Sequence, residues 1–570
     1  MKNFPAQNLI FSAIMMICPI ILFSQNKHIP AYEKAQMHQE TPDQKYLAPQ
    51  AVVKTTSPVP RLKSSGFFTS QVNVDAEGNN IVGDAANEPS IAIDPTDPNK
   101  MVIGWRQFDN VNSNFRQAGY GYTTNGGQSW TFPGVINPGV FRSDPVLDYD
   151  TAGNFYYNSL TASGSLYTTK VYKSTDGGAG WDAGVNAHGG DKQWMAIDRS
   201  GGVGTGNIYS SWTSNYSSCQ PGFFTRSVNG GASFQNCIEI PDNPYWGTMT
   251  VGPDGELYVA GSGSFDGIVV AKSTTAQNPG SAVTWDFSTQ IDVDGYISGQ
   301  DPINPVGILG QANIAVDCSD GPGRGNVYVM ASVVRNSNGD PADVMFSRST
   351  DGGMIWDDPI RINTDLGNTR YQWFGTMSVA PNGRIDIIWL DTREAPSNNL
   401  YKSALYYCYS EDQGVTWSIN KKLSALFDPH LGWPQQQKMG DYYDMESDDE
   451  GAHLAWANTL NGEQDVYYTH IVPTIVGMNE NNENIDLSLS CYPNPFRAQT
   501  TIRYRIPKDC SVKVVICDLY GTEIRTLVEK NQPAGACTVN FSGELLPAGF
   551  YLCRLTAGAQ TATTRLIKMK

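Results

Sequence analysis

The sequence predicts an all-β protein: a seven-bladed β-propeller followed by a small β-sandwich. Three observations predict it. A short Ser-x-Asp-x-Gly-x-x-Trp signature recurs five times, and seven strand-turn-strand units run through the same stretch of chain. The 56 glycines and 33 prolines of the 570 residues are spread evenly, as many short strands joined by tight turns require. A chain of this length folds as more than one unit.

The signature reads Thr124-Asn-Gly-Gly-Gln-Ser-Trp130, Ser174-Thr-Asp-Gly-Gly-Ala-Gly-Trp181, Ser227-Val-Asn-Gly-Gly-Ala-Ser-Phe234, Ser349-Thr-Asp-Gly-Gly-Met-Ile-Trp356 and Ser410-Glu-Asp-Gln-Gly-Val-Thr-Trp417. Its Asp or Asn can accept backbone N–H bonds inside a turn, its Gly supplies positive φ, and its aromatic packs back onto the sheet. The pattern resembles the Asp-box (BNR repeat) of sialidase-like propellers. The strand-turn-strand units span residues 89–105, 145–159, 194–212, 247–260, 312–331, 375–389 and 441–456, one per expected blade. The fourth unit has a degenerate box, with Lys272-Ser273 and Trp285 separated by an insertion. The seventh has no box and ends at residues 465–469. A propeller removes its sheet edges by closing the ring, so residues 67–74 are expected to complete the last blade.

The flanks read differently. Lys2, an apolar run over 9–23 and Ser24-Gln25 form the pattern of a signal peptide, residues 1–24. Residues 25–66 form an N-terminal arm, 67–473 the propeller, and the Asn-rich 474–486 a linker. From residue 487 the composition changes. Tyr492-Pro-Asn-Pro-Phe496, Thr501-Ile-Arg-Tyr504, the 512–521 segment, Leu546-Pro-Ala-Gly-Phe-Tyr-Leu552 and the basic end Arg565-Leu-Ile-Lys-Met-Lys570 resemble the C-terminal sorting domain of the type IX secretion system of Bacteroidota. The resemblance implies that residues 487–570 engage that machinery and carry the chain to the outer surface or beyond.

The net charge of -17 excludes nucleic acid as a partner, because phosphate binding needs clustered Lys and Arg. No segment after the signal peptide is apolar and long enough to be expected to span a bilayer. Cys219 and Cys237 bracket one predicted hairpin and can pair in an oxidising compartment. No Cys-x-x-Cys or His-x-x-x-His spacing points to zinc. No cofactor is expected. The Asp-rich loops 292–301 and 448–450 offer oxygen ligands for a structural Ca²⁺, without a complete ligand pattern.

Propeller geometry puts the boxes on one face, and the loops into first strands and out of second strands on the other. Those loops bring Glu88, Asp144, Lys192, Arg370, Trp373, Asp441 and Tyr442, then Arg106, Asp391 and Arg393, toward one mouth. Guanidinium forks suit carboxylates and aromatic faces suit sugar rings, so the expected partner is an extracellular glycan with acidic sugars. The resemblance to sialidases implies an arginine cluster (Arg106, Arg370, Arg393), a phenol (Tyr442 or Tyr443) and carboxylates (Glu88, Asp144, Asp441). A glycosidase needs two such groups across the scissile bond. Lys192, Trp373 and Asp391 complete the expected binding set. Two features depart from sialidases: seven blades exceed the usual six, and the Arg-Ile-Pro element expected before the first blade occurs only as Arg505-Ile-Pro507, near the far end. A polysaccharide lyase, with a Tyr or His base drawn from His188, His430 or His453, and a non-catalytic glycan- or protein-binding propeller are the other readings; fold alone does not choose among them.

Overall fold

The computed structural model describes residues 46, 55–59, 62–64, 66–163, 166–473, 488–506, 508–518, 522–544, 546–558 and 560–569. The expected signal peptide, most of the arm, the linker and Tyr520-Gly521 lie outside the described residues. The chain divides into two compact units, one ending at Ile471 and one beginning at Val472. Among the described residues, no helix is long and apolar enough to cross a membrane.

The first unit is built from antiparallel sheets laid down in chain order. Sheet 1 holds Ala85–Ile93, Met101–Phe108, Gln117–Thr123 and Thr131–Ile136. Sheet 2 holds Ser143–Tyr149, Phe155–Ser163, Leu166–Ser174 and Val185–Asn186. Sheet 3 has three strands, Trp194–Ile197, Ile208–Ser211 and Phe224–Ser227. Sheet 4 holds Met249–Val251, Leu257–Ser262, Ile268–Ser273 and Phe287–Ile291. Sheet 5 holds Asn313–Val316, Val327–Arg335, Asp343–Ser349 and Ile360–Arg361, with Gly295–Tyr296 added along Val327–Arg335. Sheet 6 holds Gln372–Val379, Ile385–Asp391, Ala404–Ser410 and Lys421–Lys422. Sheet 7 holds Asp444–Ser447, Ala452–Asn458 and Asp465–Ile471, and is completed from the other end of the unit by Phe67–Gln71 and Leu62–Ser64.

The first strand of each sheet packs beside that of the next, and Asp444–Ser447 returns to Ala85–Ile93. Side chains stitch these strands together. Ser90 accepts the Leu147 N–H at 2.9 Å, Asp148 that of Ile197 at 2.7 Å, Thr248 that of Ile314 at 3.0 Å, and Asp444 that of Ile91 at 3.1 Å. The apolar clusters lie between neighbouring sheets; one joins Ala92 and Tyr120 of sheet 1 to Leu147 and Phe155 of sheet 2. Each sheet is therefore covered on both faces. That is why Met101–Phe108, Ile385–Asp391 and Ala452–Asn458 are buried at every position rather than alternating.

Each of the five signatures closes the turn after a third strand. The Ser or Thr hydroxyl donates to the Asp or Asn Oδ1 two residues on, at 2.8 Å for Thr123–Asn125, 2.8 Å for Ser174–Asp176 and 2.7 Å for Ser349–Asp351. The same hydroxyl oxygen accepts the N–H of the second Gly, and Oδ1 accepts the N–H four residues ahead of it, as in Gly178 to Ser174 at 3.0 Å and Gly180 to Asp176 at 2.9 Å. The aromatic then packs on the preceding sheet: the ring centroids of Trp417 and Phe346 are 5.0 Å apart. The degenerate fourth case keeps this contact, Trp285 lying 5.3 Å from Phe224.

The second unit has a three-stranded sheet, Ser488–Tyr492, Gln499–Ile506 and Gly535–Ser542, and a four-stranded one built around Cys510–Cys517 and Gly549–Ala557. Ile502 and Phe541 from the first share an apolar cluster with Val514 and Leu555 from the second. Tyr504 is buried there and donates to Gln532 at 2.9 Å.

Candidate functional site

A corner marks the start of each of the seven first strands, at a residue in the left-handed region that lies early within the strand (Glu88, Asp144, Phe374) or shortly before it (Lys192, Trp246, Gly310, Gly440). Five of these carry side chains at φ between 48° and 56°. Such a conformation costs on the order of 1–3 kcal/mol each, so packing must enforce it. The corners meet one another. A Cβ on Gly440 would sit 2.5 Å from Glu88 Cγ, and one on Gly310 would sit 3.2 Å from Phe374 Cα.

Where the corners meet, charged side chains form one buried network. Glu88 pairs with Arg106 at 3.1 Å and with Lys438 at 3.2 Å. Asp441 takes Lys438 at 2.5 Å and Lys192 at 2.7 Å, and accepts the Ile308 N–H at 3.1 Å. The Lys192 ammonium also faces Asp191 at 3.5 Å, and the Lys192 backbone N–H donates to Asp144 at 3.0 Å. Arg106 donates to Asn87 at 2.9 Å and Gln436 at 3.1 Å. Arg116 lies alongside, donating to Ser143 at 3.2 Å, with its guanidinium 4.7 Å from the Phe141 ring. Four cations (Arg106, Arg116, Lys192, Lys438) thus stand with four carboxylates (Glu88, Asp144, Asp191, Asp441), and all eight are buried.

Two loops cover this network. Asn304 donates to Gly440 O at 2.9 Å and accepts the Met439 N–H at 2.9 Å, tying the loop before sheet 5 to the loop before sheet 7. Gln435 extends the second loop to Asn112 O at 2.7 Å.

Burial sets the proton affinities. It pushes Glu88 up to about 7 against the pull of Arg106 and Lys438, and Asp191 up to about 6 against Lys192. Burial also acts to raise Asp144, but Lys192, Lys438 and Arg106 outweigh it and hold that carboxyl below its ordinary range. Lys438 is driven down to about 8 by burial and by Arg106. For Lys192 the carboxylates Asp191, Asp441 and Asp144 outweigh burial and keep the ammonium charged.

The structure therefore brings Glu88, Arg106, Asp144, Lys192 and Asp441 together. Tyr442 is next in the chain but belongs to the core: its hydroxyl donates to Pro145 O at 2.8 Å, its ring packs edge-on to Trp194, and burial pushes its pKa far up. Trp373 is also core, donating to Ser403 at 3.1 Å, so no face is left for a sugar. Arg393 and Asp391 pair with each other at 2.7 Å beside Tyr406, and Arg370 is half-buried with no hydrogen bond or ion pair among the described residues. The arginines expected to act together are thus spread over separate contacts. His453 is held between Tyr468 and Asp448, and His430 against Ile303 O. Lys438 and Arg116 were missed in the sequence; the three-residue spacing of Lys438 to Asp441 was the only available signal.

A second axial feature lies at the opposite end. A cavity of about 450 Å³ runs between the later halves of the first strands, bounded by Asp148, Arg199, Asp444 and Glu446. Burial raises Asp444 to about 6 and Glu446 to about 8. The turns after first and third strands share one end of an antiparallel sheet, so this cavity opens on the side of the signature turns.

For metals, the described residues offer one compact donor group, His188, Cys219 and Cys237. Its two sulfurs are joined as a disulfide and are not available as thiolates. In the Asp-rich loops, Asp294 is bound by Arg335 and Ser337, and Asp448 by His453 and the Gly451 N–H.

Residues 490–569 match the family described as the secretion system C-terminal sorting domain. The chain is thus exported by the type IX route to the cell surface or beyond. No curated protein matches the chain. Among solved structures, a protein of unknown function from Dyadobacter fermentans is similar at 12% identity, over 73% of this chain and 99% of that one, with a TM-score of 0.40. A polysaccharide lyase described as an ulvan lyase is similar at 11% identity over 68% and 94%, TM-score 0.36. A Trypanosoma rangeli sialidase is similar at 9% identity over 90% and 89%, TM-score 0.36.

Proposed function

We propose that this is an exported, seven-bladed, Asp-box propeller that binds extracellular glycans without cleaving them, delivered by a β-sandwich sorting domain. One observation carries the non-catalytic reading: the charged network at the mouth is balanced within itself and sealed. A hydrolase presents carboxylates to the scissile bond, whereas here each carboxylate is matched by a buried cation or backbone donor. Seven sheets whose first strands pack side by side, seven left-handed corners and the closing strand Phe67–Gln71 support the blade count; the separate two-stranded pair of Thr56–Ser57 with Asn80–Ile81 adds no blade.

A hydrolase remains the second reading because of Glu88. A carboxyl pushed up to about 7 beside Asp441 and Asp144 is suited to donate a proton while its neighbours stay ionised. That reading requires the two covering loops to open. The deciding experiment screens the full exported chain against sialosides, uronate polysaccharides and neutral oligosaccharides, for binding and for products. Binding without turnover is expected. Release of sialic acid or an unsaturated uronate that disappears in Glu88→Gln would overturn the non-catalytic reading.

A further inference from the structure

A cavity of the first unit lies off the axis, in the seam between sheets 3 and 4. It measures about 820 Å³. One wall is the loop between the second and third strands of sheet 3. That loop is rigid: the Cys219–Cys237 disulfide pins it, Ser217 donates to Gly222 O, and Trp212 N–H bonds to Phe223 O at 3.1 Å. The other wall comes from sheet 4, with Phe265 on its hairpin tip, Trp285 just before its last strand and Gln290 on that strand. The floor is the 239–243 connection, where Trp285 donates to Glu239 O at 2.9 Å.

Two properties of this groove point to one kind of occupant. Phe265 is 79% exposed, at the rim of a groove that also holds Trp285 and Phe223. A large aromatic left in water beside a deep groove marks a binding surface. The polar lining is amide, hydroxyl and carboxylate: Asn215, Gln220, Gln290, Ser214, Glu239 and Asp242, with no Lys or Arg. Carboxylates and amides accept and donate to hydroxyl groups, while their charge repels an acidic polymer; an aromatic face takes the C–H face of a pyranose ring.

We propose that this groove is a preformed binding site for a neutral oligosaccharide, gripped by Phe265 and oriented by Gln290 and Asp242. The proposal rests on the glycan-binding reading above and moves its site from the axial mouth to the seam. Its walls are already stapled, so little ordering is left for binding to do.

The test is titration calorimetry of the full exported chain with neutral hexasaccharides (β-1,3- and β-1,4-glucan, mannan, xylan) and with a hexagalacturonate control. It is run on the wild type and on Phe265→Ala, Phe265→Trp and Asp242→Ala. Phe265 is largely exposed, so its removal is expected to leave the fold intact, checked by an unchanged thermal midpoint. At least one neutral hexasaccharide is expected to bind and the uronate not to. Phe265→Ala should weaken binding by about tenfold or more, and Phe265→Trp should restore it. Binding that is unchanged in both Phe265→Ala and Asp242→Ala, or that prefers the uronate, overturns the groove while leaving glycan binding itself standing. Absence of binding to every glycan, here and in the wider screen, overturns both.

Discussion

Replacing Asp441 with Asn tests whether the axial network is scaffold or machinery. The carboxylate lies 2.5 Å from Lys438 and 2.7 Å from Lys192 with no access to water, so the amide leaves four cations facing three carboxylates in a closed space. Removing one partner of a buried ion pair costs about 3–5 kcal/mol, a large part of a total stability of about 5–15 kcal/mol. With a urea slope of roughly 3 kcal/mol/M, the midpoint should fall by about 1–2 M. Tryptophan emission is the assay, and all 13 tryptophans precede Ile471, so it reports on the first unit alone. Adding Lys438→Met restores the charge balance and should recover a substantial part of the loss, because the two sites are in contact. An Asp441→Asn chain within about 0.5 kcal/mol of wild type, or more stable, would refute the scaffold reading, since substitution of a functional residue held under strain tends to be neutral or stabilising.

Stability should also depend on pH. Folded Glu88, Asp191, Asp444 and Glu446 keep their protons to about 7, 6, 6 and 8, against 4.5 for free Glu and 3.8 for free Asp. The folded chain thus binds more protons across that window, and stability falls as pH rises through it. Thermal midpoints at pH 5 should exceed those at pH 8, and Glu446→Gln should flatten the difference; a flat or rising wild-type profile would contradict the assignment. Above about 8, Lys438 acts in the opposite sense, because its folded form gives up the proton that the unfolded chain holds to 10.5. Gly178→Ala places a Cβ 2.2 Å from Val102 Cγ2 at φ +88°. It should cost roughly 1–3 kcal/mol in the same urea assay, whereas Gly201→Ala, with open space around it, should cost only the backbone strain. Deletion of residues 490–569 should leave the chain inside the outer membrane, read by immunoblot of periplasmic and extracellular fractions; normal appearance outside would remove the tail from the export route.

Much of the scaffold was legible because it is local. The signature turns are closed by hydrogen bonds spanning two to four residues, as in Ser174 to Asp176, Gly178 to Ser174 and Gly180 to Asp176, and need nothing from the rest of the chain. The site was legible only as residue types at loop positions. Glu88, Arg106, Asp144, Lys192 and Asp441 come together because each stands at or beside a corner that the repeat places near one end. Their burial was not legible: it depends on the loops carrying Asn304 and Gln436, which have no repeat to place them. Trp373 and Tyr442 were misjudged for a related reason. An aromatic beside a corner reads the same whether it faces the mouth or, as here, packs inward on Ser403 and Pro145.

Short-range chemistry in the chain therefore determined the strands, the turns and the tail that takes the protein out of the cell. Only the tertiary structure decided that the axial charges neutralise one another out of reach of solvent, while the open groove lies in the seam beside Phe265. The physical reason is range. A turn closes within a few residues, whereas the affinity of a carboxyl for its proton, and its exposure to a ligand, depend on which groups distant segments bring beside it.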